Sequence, residues 1–363
     1  MTTLKKLLEQ ENLNNTPFAV FLSLKENIDD MEILAEICNH INFENEESFF
    51  ESVKTFLLDY GKKISLGDGK EMAQQIVTNV VDGNSYRKAE ESIIMTINRP
   101  AFIIRNDKID DSITTKWKER MDQSNDQISR VIPSVGRIEL SGHPRYPWVG
   151  TGWLIKGTNI LVTNRHVANI FSSRRKKSFG INTDYRGNVL SVNIDFKEEH
   201  EIAEENEFQI KKVIHVAEND EPDIALLEVN PVNEKGKPLP EGLEISQNVS
   251  RPHDNVYVVG YPAYDPIEEI KIYDFIFKGI SDVKRLAPGD IFPSSAASYI
   301  YMHDCSTWYG NSGSPLVDLN TGKVVGIHYA GTQHEYRGVR VNWAVRSTYL
   351  IELLEELELS YSA

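Results

Sequence analysis

The chain has 363 residues, 40% hydrophobic and 26% charged, a composition that suits a soluble globular protein of two or three domains. Its formal net charge of −15 excludes the Lys/Arg-rich surface that nucleic acid requires and disfavours adhesion to anionic membranes. Cys38 and Cys305 are too few for a disulfide framework, the N-terminal MTTLKKLLEQEN is broken by Glu9, Gln10 and Glu11, and no apolar run reaches the roughly 18 residues of a membrane span, so a cytoplasmic protein is expected.

Residues 1–90 read as short helices. Leu4, Leu7 and Leu8, then Ile33, Leu34 and Ile37, then Phe49, Phe50, Val53, Phe56 and Leu57, then Met72, Ile76, Val77 and Val80 recur at helical spacing. Asp68 followed by Glu71 resembles a capping box. An all-α bundle is expected there, serving as an adaptor or regulatory domain with its own protein partner, or as a mere folding appendage. Residues 91–133 form a connecting segment. Pro100 among β-branched residues suits an edge strand, and Thr114 to Val131 reads as a helix with Trp117, Met121, Ile128 and Val131 as apolar positions, stopped by Pro133.

From Ser134 the texture becomes β-rich. Val135–Leu140, Gly152–Ile155, Ile160–Thr163, Val189–Ile194, Ile210–Val216 and Ile224–Val229 precede a Pro-containing connector, Pro231–Pro240. Val256–Val259, Ile270–Phe277, Ser298–Met302, Leu316–Val317, Val324–Tyr329 and Val339–Val345 follow it. The expected fold class is multidomain: an N-terminal all-α bundle, then an all-β double β-barrel over residues 134–346, then a C-terminal helix over 347–363. The first barrel should span about 134–235 and the second about 250–346.

Acyl transfer needs a nucleophile, a base, a group that orients the base, and donors for the oxyanion. Gly310-Asn311-Ser312-Gly313-Ser314-Pro315 offers the nucleophile, Ser312. Its glycines permit a tight turn that exposes the hydroxyl, with the Gly310 and Ser312 N–H groups as oxyanion donors. Thr163-Asn164-Arg165-His166-Val167 offers the base, His166, at the end of an apolar strand. Asp223 heads the strand DIALLEV, where an unpaired carboxylate is costly to bury; a bond to the His166 Nδ1–H would account for it. Taken singly, each has a structural reading: a Gly/Ser turn, a structural histidine, a strand-capping aspartate. Together they form one constellation in the order His166, Asp223, Ser312, with the serine in the second barrel. The histidines lack ligand spacing and no C-x-x-C occurs, so neither a metal nor another cofactor is expected.

The segments GTGWLI, TNRHVA, DIALLEV and GNSGSP resemble the trypsin-like serine peptidases, in the bacterial HtrA-like and glutamyl-endopeptidase-like branch, over about residues 134–346. The stretch RPAFIIRND also resembles an extension ahead of such domains in bacterial multidomain proteins. No PDZ-like module follows residue 346, a departure from HtrA proteins. The resemblance implies a serine endopeptidase acting on a protein or peptide substrate, in a bacterial stress or defence pathway. In zymogen-type relatives an aspartate precedes the serine and pairs with a freed N-terminus; Asn311 cannot make that ion pair. The resemblance further places His328 and Thr307 where glutamyl-endopeptidase-like enzymes bind an acidic P1 side chain, and Tyr329, Ala330 and Gly331 where the substrate backbone adds as a strand. His328 could equally pack between strands without touching substrate. A catalytically inert, protein-binding version of the fold is the alternative, and the intact set of His166, Asp223 and Ser312 weighs against it.

Overall fold

The computed structural model describes residues 99–109, 117–176, 178–264, 273, 276–277, 279–292, 299–336 and 339–361. The bundle expected over residues 1–90 lies outside them. Apart from Ile276 and Phe277, the described residues belong to one unit made of Arg99–Ile113, Trp117–Tyr273 and Gly279–Ala363.

The chain enters this unit with β1 (Phe102–Arg105) and β2 (Lys108–Ile109), an antiparallel pair turned by Asn106 and Asp107, both at positive φ. Two short helices follow, α1 (Trp117–Gln123) and α2 (Asn125–Val131). The sequence predicts one continuous helix here. The structure breaks it at Ser124, which is buried and leaves the helical region with φ −102° and ψ 12°. Serine competes with helical hydrogen bonding through its own hydroxyl and suits such a joint. The four predicted apolar positions Trp117, Met121, Ile128 and Val131 are all buried.

Barrel one comprises β3 (Val135–Ser141), β4 (Trp148–Leu154), β5 (Ile160–Thr163), β8 (Ser191–Asp195), β9 (Glu207–Val216) and β10 (Ala225–Val229). These six strands close in the order β10-β5-β4-β3-β8-β9, with every pairing antiparallel. Between β5 and β8 lie α3 (Arg165–Phe171) and a hairpin of β6 (Ser172–Arg175) and β7 (Ser178–Ile181). Exposed and buried residues alternate along the first part of β9, as expected for a strand with one face on the core. Ile160–Thr163 is buried throughout, because β5 is flanked by strands on both sides and covered on both faces.

Barrel two comprises β11 (Asn255–Gly260), β12 (Arg285–Phe292), β13 (Ile300–His303), β14 (Pro315–Asp318), β15 (Val324–Tyr336) and β16 (Val339–Arg346). The order β11-β14-β15-β16-β13-β12 closes through a β11–β12 pairing, and β1 adds to the start of β12. The connector is stitched to both barrels by parallel bridges, Ile155 to Leu243 and Ile245 to Val324. Helix α4 (Ser347–Glu356) buries Leu350 and Leu354 on the core, and Ile351, Leu353 and Leu357 pack at its edge.

Two elements differ from expectation. Strand β12 escapes the sequence pattern because Pro288 and Gly289 interrupt it, yet it pairs with β11, β13 and β1. The stretch Ile270–Phe277 was expected as a strand, but its described residues Tyr273, Ile276 and Phe277 are helical. Their i, i+3, i+4 spacing is helical, and it prevails over β-favouring side chains.

Trp117 shares one core cluster with Trp153 of barrel one, Val317 and Ile327 of barrel two, and Leu350 of α4. Residues ahead of the barrels are therefore part of their core. Trp117→Ala is expected to lower stability by about 3–5 kcal/mol, read as a shift in the urea midpoint. A change below about 1 kcal/mol would mean that the helix packs only peripherally.

Candidate active site

His166 lies in the first turn of α3, directly after β5, and three consecutive residues there grip the approach to β10. Asn164 is fully buried, and its Nδ2 donates to the Asp223 carbonyl at 2.8 Å. The Arg165 guanidinium donates to the carbonyls of Glu218 and Glu221. The His166 backbone N–H donates to Asp223 Oδ1 at 3.1 Å, while its ring Nδ1 stands 2.6 Å from Asp223 Oδ2. Burial works against a charged Asp223. The hydrogen bonds from His166 and the nearby Arg165 charge outweigh it and hold the carboxyl below its usual range. An ionised Asp223 can only accept, so Nδ1 carries the proton and Nε2 is left bare as a base.

Ser312 sits in a turn pinned to barrel one by Thr151 of β4. The Thr151 N–H donates to the Ser312 carbonyl at 2.9 Å, and its Oγ1 donates to the Gly310 carbonyl at 2.8 Å. Gly310 and Gly313 have φ of +83° and +90°, a region that side chains disfavour. A Cβ on Gly310 would strike the Tyr261 carbonyl and the Trp148 ring; one on Gly313 would strike the Thr151 carbonyl and Thr163 Oγ1. Gly150 lies between Val167, the neighbour of His166, and the Ser312 carbonyl, so the two expected catalytic segments meet across β4.

The N–H groups of this turn alternate in direction. Asn311 donates to Trp308, Gly313 to His328 and Ser314 to Asn311. Between them, the Gly310 and Ser312 N–H groups donate to no acceptor among the described residues. These are the two donors expected for an oxyanion. No hydrogen bond joins Ser312 Oγ to His166 among the described residues; such contacts commonly tighten only with substrate.

The wall beside the turn is β15. Its pairing to β14 ends at Ile327, with two more bonds between His328 and the Gly313–Ser314 turn. Its other edge pairs with β16 as far as Tyr336. From Tyr329 through Gly331 the strand is thus unpaired on the β14 side among the described residues, the edge on which an extended peptide can add. Thr307 is half-buried in the loop before Ser312.

His328 is buried, and its Nδ1 lies 3.2 Å from Nε2 of the fully buried His303. Burial pushes the His328 pKa down to about 3, and the nearby His166 adds to the effect. Burial, with His328 beside it, also pushes His303 well below its ordinary value. Both rings are therefore neutral near pH 7, so His328 offers no standing positive charge to an acidic side chain. His303 escaped that reasoning, as did Thr151 and Asn164; the last two lie inside the motifs GTGWLI and TNRHVA, whose spacing carries no sign of what they bind.

Two six-stranded antiparallel barrels, with a His–Asp pair on one and a half-buried serine in a tight turn on the other, have the architecture of a double-barrel serine peptidase. Residues 150–327 match the family model of the trypsin-like peptidase domain, and the chain carries a trypsin-like serine peptidase domain, a hydrolase of the endopeptidase class. No curated protein matches it. Among solved structures it is similar to Rv3671c from M. tuberculosis H37Rv in an inactive mutant form, at 19% identity and a TM-score of 0.41, covering 66% of this chain and 93% of that one. The active form of the Rv3671c protease gives 18% identity and a TM-score of 0.40, covering 67% and 88%. The serine endoprotease from Yersinia pestis gives 16% and 0.42, covering 64% and 66%. Among the described residues no helix is long and apolar enough to cross a membrane.

Proposed function

We propose that this chain hydrolyses peptide bonds with His166, Asp223 and Ser312 as its catalytic triad. The carrying observation is the doubly hydrogen-bonded His166–Asp223 pair across β4 from a serine turn with two unengaged N–H groups. Ser312 Oγ attacks the carbonyl carbon while His166 Nε2 takes its proton. The Gly310 and Ser312 N–H groups hold the oxyanion. His166 then protonates the leaving amine and activates the water that clears the acyl-enzyme. A fluorophosphonate probe tests this: the full chain is expected to be labelled at Ser312, and labelling elsewhere or none would sink the reading.

The same site supports a preference for acidic P1 side chains, with Thr307 and His328 as the carboxylate ligands. In this reading a neutral His328 donates its Nε2–H while its Nδ1 accepts from His303 Nε2–H, or it takes up a proton as the carboxylate arrives and then donates from both nitrogens, with His303 Nε2 accepting. In a P1 library, cleavage after Glu should exceed cleavage after Leu. His328→Val should lower kcat/KM for the Glu substrate by about 10–100-fold while sparing the Leu substrate. A bound carboxylate raises the His328 pKa in the complex, so the preference fades as pH rises through that raised value, and also in acid below about pH 4, where the substrate carboxylate is protonated. A flat or apolar P1 profile would remove the acidic pocket. Residues 1–90 are proposed as an adaptor domain for a protein partner; loss of partner capture by a full-length chain with substitutions on their apolar positions would support this.

A further inference from the structure

A largely covered arginine from well ahead of the matched segment reaches the loop that carries Ser312. The Arg99 guanidinium donates to the Asp304 carboxylate and, at 3.1 Å, to Asp290 Oδ2. Its side chain is 14% exposed and that of Asp304 only 1%. The Arg99 carbonyl accepts from Ser306 Oγ at 2.6 Å. One residue therefore holds both the carboxylate and the hydroxyl that flank Cys305, a few residues before Ser312.

The rest of the loop's support is equally specific. Asp304 Oδ1 accepts the Asp290 N–H at 2.7 Å, and the Cys305 carbonyl accepts from Asn342 Nδ2 at 2.7 Å. Asp290 Oδ1 accepts from Asn255 Nδ2 at 2.6 Å. Burial raises the Asp304 carboxyl above its usual range, the Arg99 charge opposes that, and the Asp290 charge adds to it. Without Arg99, two carboxylates would face each other in a largely dry site, and the loop would have to open or take a proton.

The position next to the nucleophile holds no charge. Asn311 is buried and turns its Nδ2 to the Trp308 carbonyl at 3.2 Å. The cation that organises this loop enters instead at Asp304, from an internal residue that needs no cleavage to become available. We propose that Arg99 is a positioning residue for this peptidase. Through Asp304 and Ser306 it sets the floor of the pocket beside His328 and the register of the turn that presents Ser312. This rests on the reading of Ser312 as the nucleophile.

The test uses the full-length chain as wild type, Arg99→Met, Arg99→Lys and the double variant Arg99→Met/Asp304→Asn. The double variant removes the uncompensated buried charge, so it separates folding from positioning. Melting temperature, fluorophosphonate labelling rate and kcat/KM on a peptide are measured for each. A displaced turn loses about 10²-fold in rate. The double variant is expected to melt near wild type yet keep that loss in labelling rate and kcat/KM, and Arg99→Lys is expected to recover part of it. A folded double variant, or a folded Arg99→Met, that labels and turns over at the wild-type rate would overturn the proposal. Insoluble protein from both would make Arg99 a folding residue and overturn it too. A wild type that does not label at Ser312 would instead sink the reading of the site.

Discussion

Ser312→Ala is expected to lower kcat by about 10⁶-fold while leaving the melting temperature unchanged. The two halves of this expectation have separate causes. The turn is held by backbone: the Thr151 N–H on the Ser312 carbonyl, Thr151 Oγ1 on the Gly310 carbonyl and the Gly313 N–H on the His328 carbonyl. None of these uses the Ser312 hydroxyl, and alanine preserves them all. Of the side chain the chemistry uses only this hydroxyl, and the backbone N–H that serves the oxyanion is kept in alanine. A residual rate about 10³–10⁴ above that in water should persist, from the oxyanion donors and substrate binding. Turnover is read on a peptide substrate and stability by thermal melting of the same preparation. Activity within about tenfold of wild type would move the nucleophile elsewhere.

Asp223→Asn is expected to cost about 10⁴-fold in kcat. Asp223 meets His166 twice, through Oδ1 to the backbone N–H and Oδ2 to the ring. Asparagine has one acceptor for two donors. If its oxygen keeps the backbone N–H, its NH₂ faces ring Nδ1, which must then accept. The ring proton moves to Nε2, and the base toward Ser312 is lost. If the amide flips, the backbone N–H of His166 loses its acceptor instead.

Stability carries a matching signature. The Asp223 carboxyl titrates lower in the folded chain than in the unfolded one. Its contribution is therefore complete above the unfolded value of about 3.9 and is lost as pH falls through the lower folded value. The melting gap between wild type and Asp223→Asn should hold at neutral pH and close in acid below about pH 4. A gap that persists unchanged in acid would show that the carboxylate's charge is not what stabilises the pair.

Much of the site could be read locally. Ser312 between glycines, His166 after an apolar strand and Asp223 at the mouth of another are each short-range patterns with a chemical reason. The alternation that marks β9 and the solid burial of β5 come from the same source, since a strand's period records which face meets the core. Strand β12 was hidden because proline and glycine break that period, although its neighbours supply the pairing.

What the sequence could not express is the identity of partners far along the chain. Arg99 meets Asp304 across 205 residues, and Asn164 meets Asp223 across 59. A lone arginine or asparagine has no period and reads as an ordinary polar residue until closure of the barrels brings its partner to it. The charge state of His328 shows the same division. Sequence names an imidazole and its place on β15; only burial beside His303 decides that the ring is neutral. The sequence by itself determined the barrels and the residue types of the candidate catalytic constellation, because those depend on local period and chemistry. The tertiary structure decided which groups pin the Ser312 turn and how its pocket is charged, because desolvation and pairing are properties of a site that exists only after the chain has closed on itself.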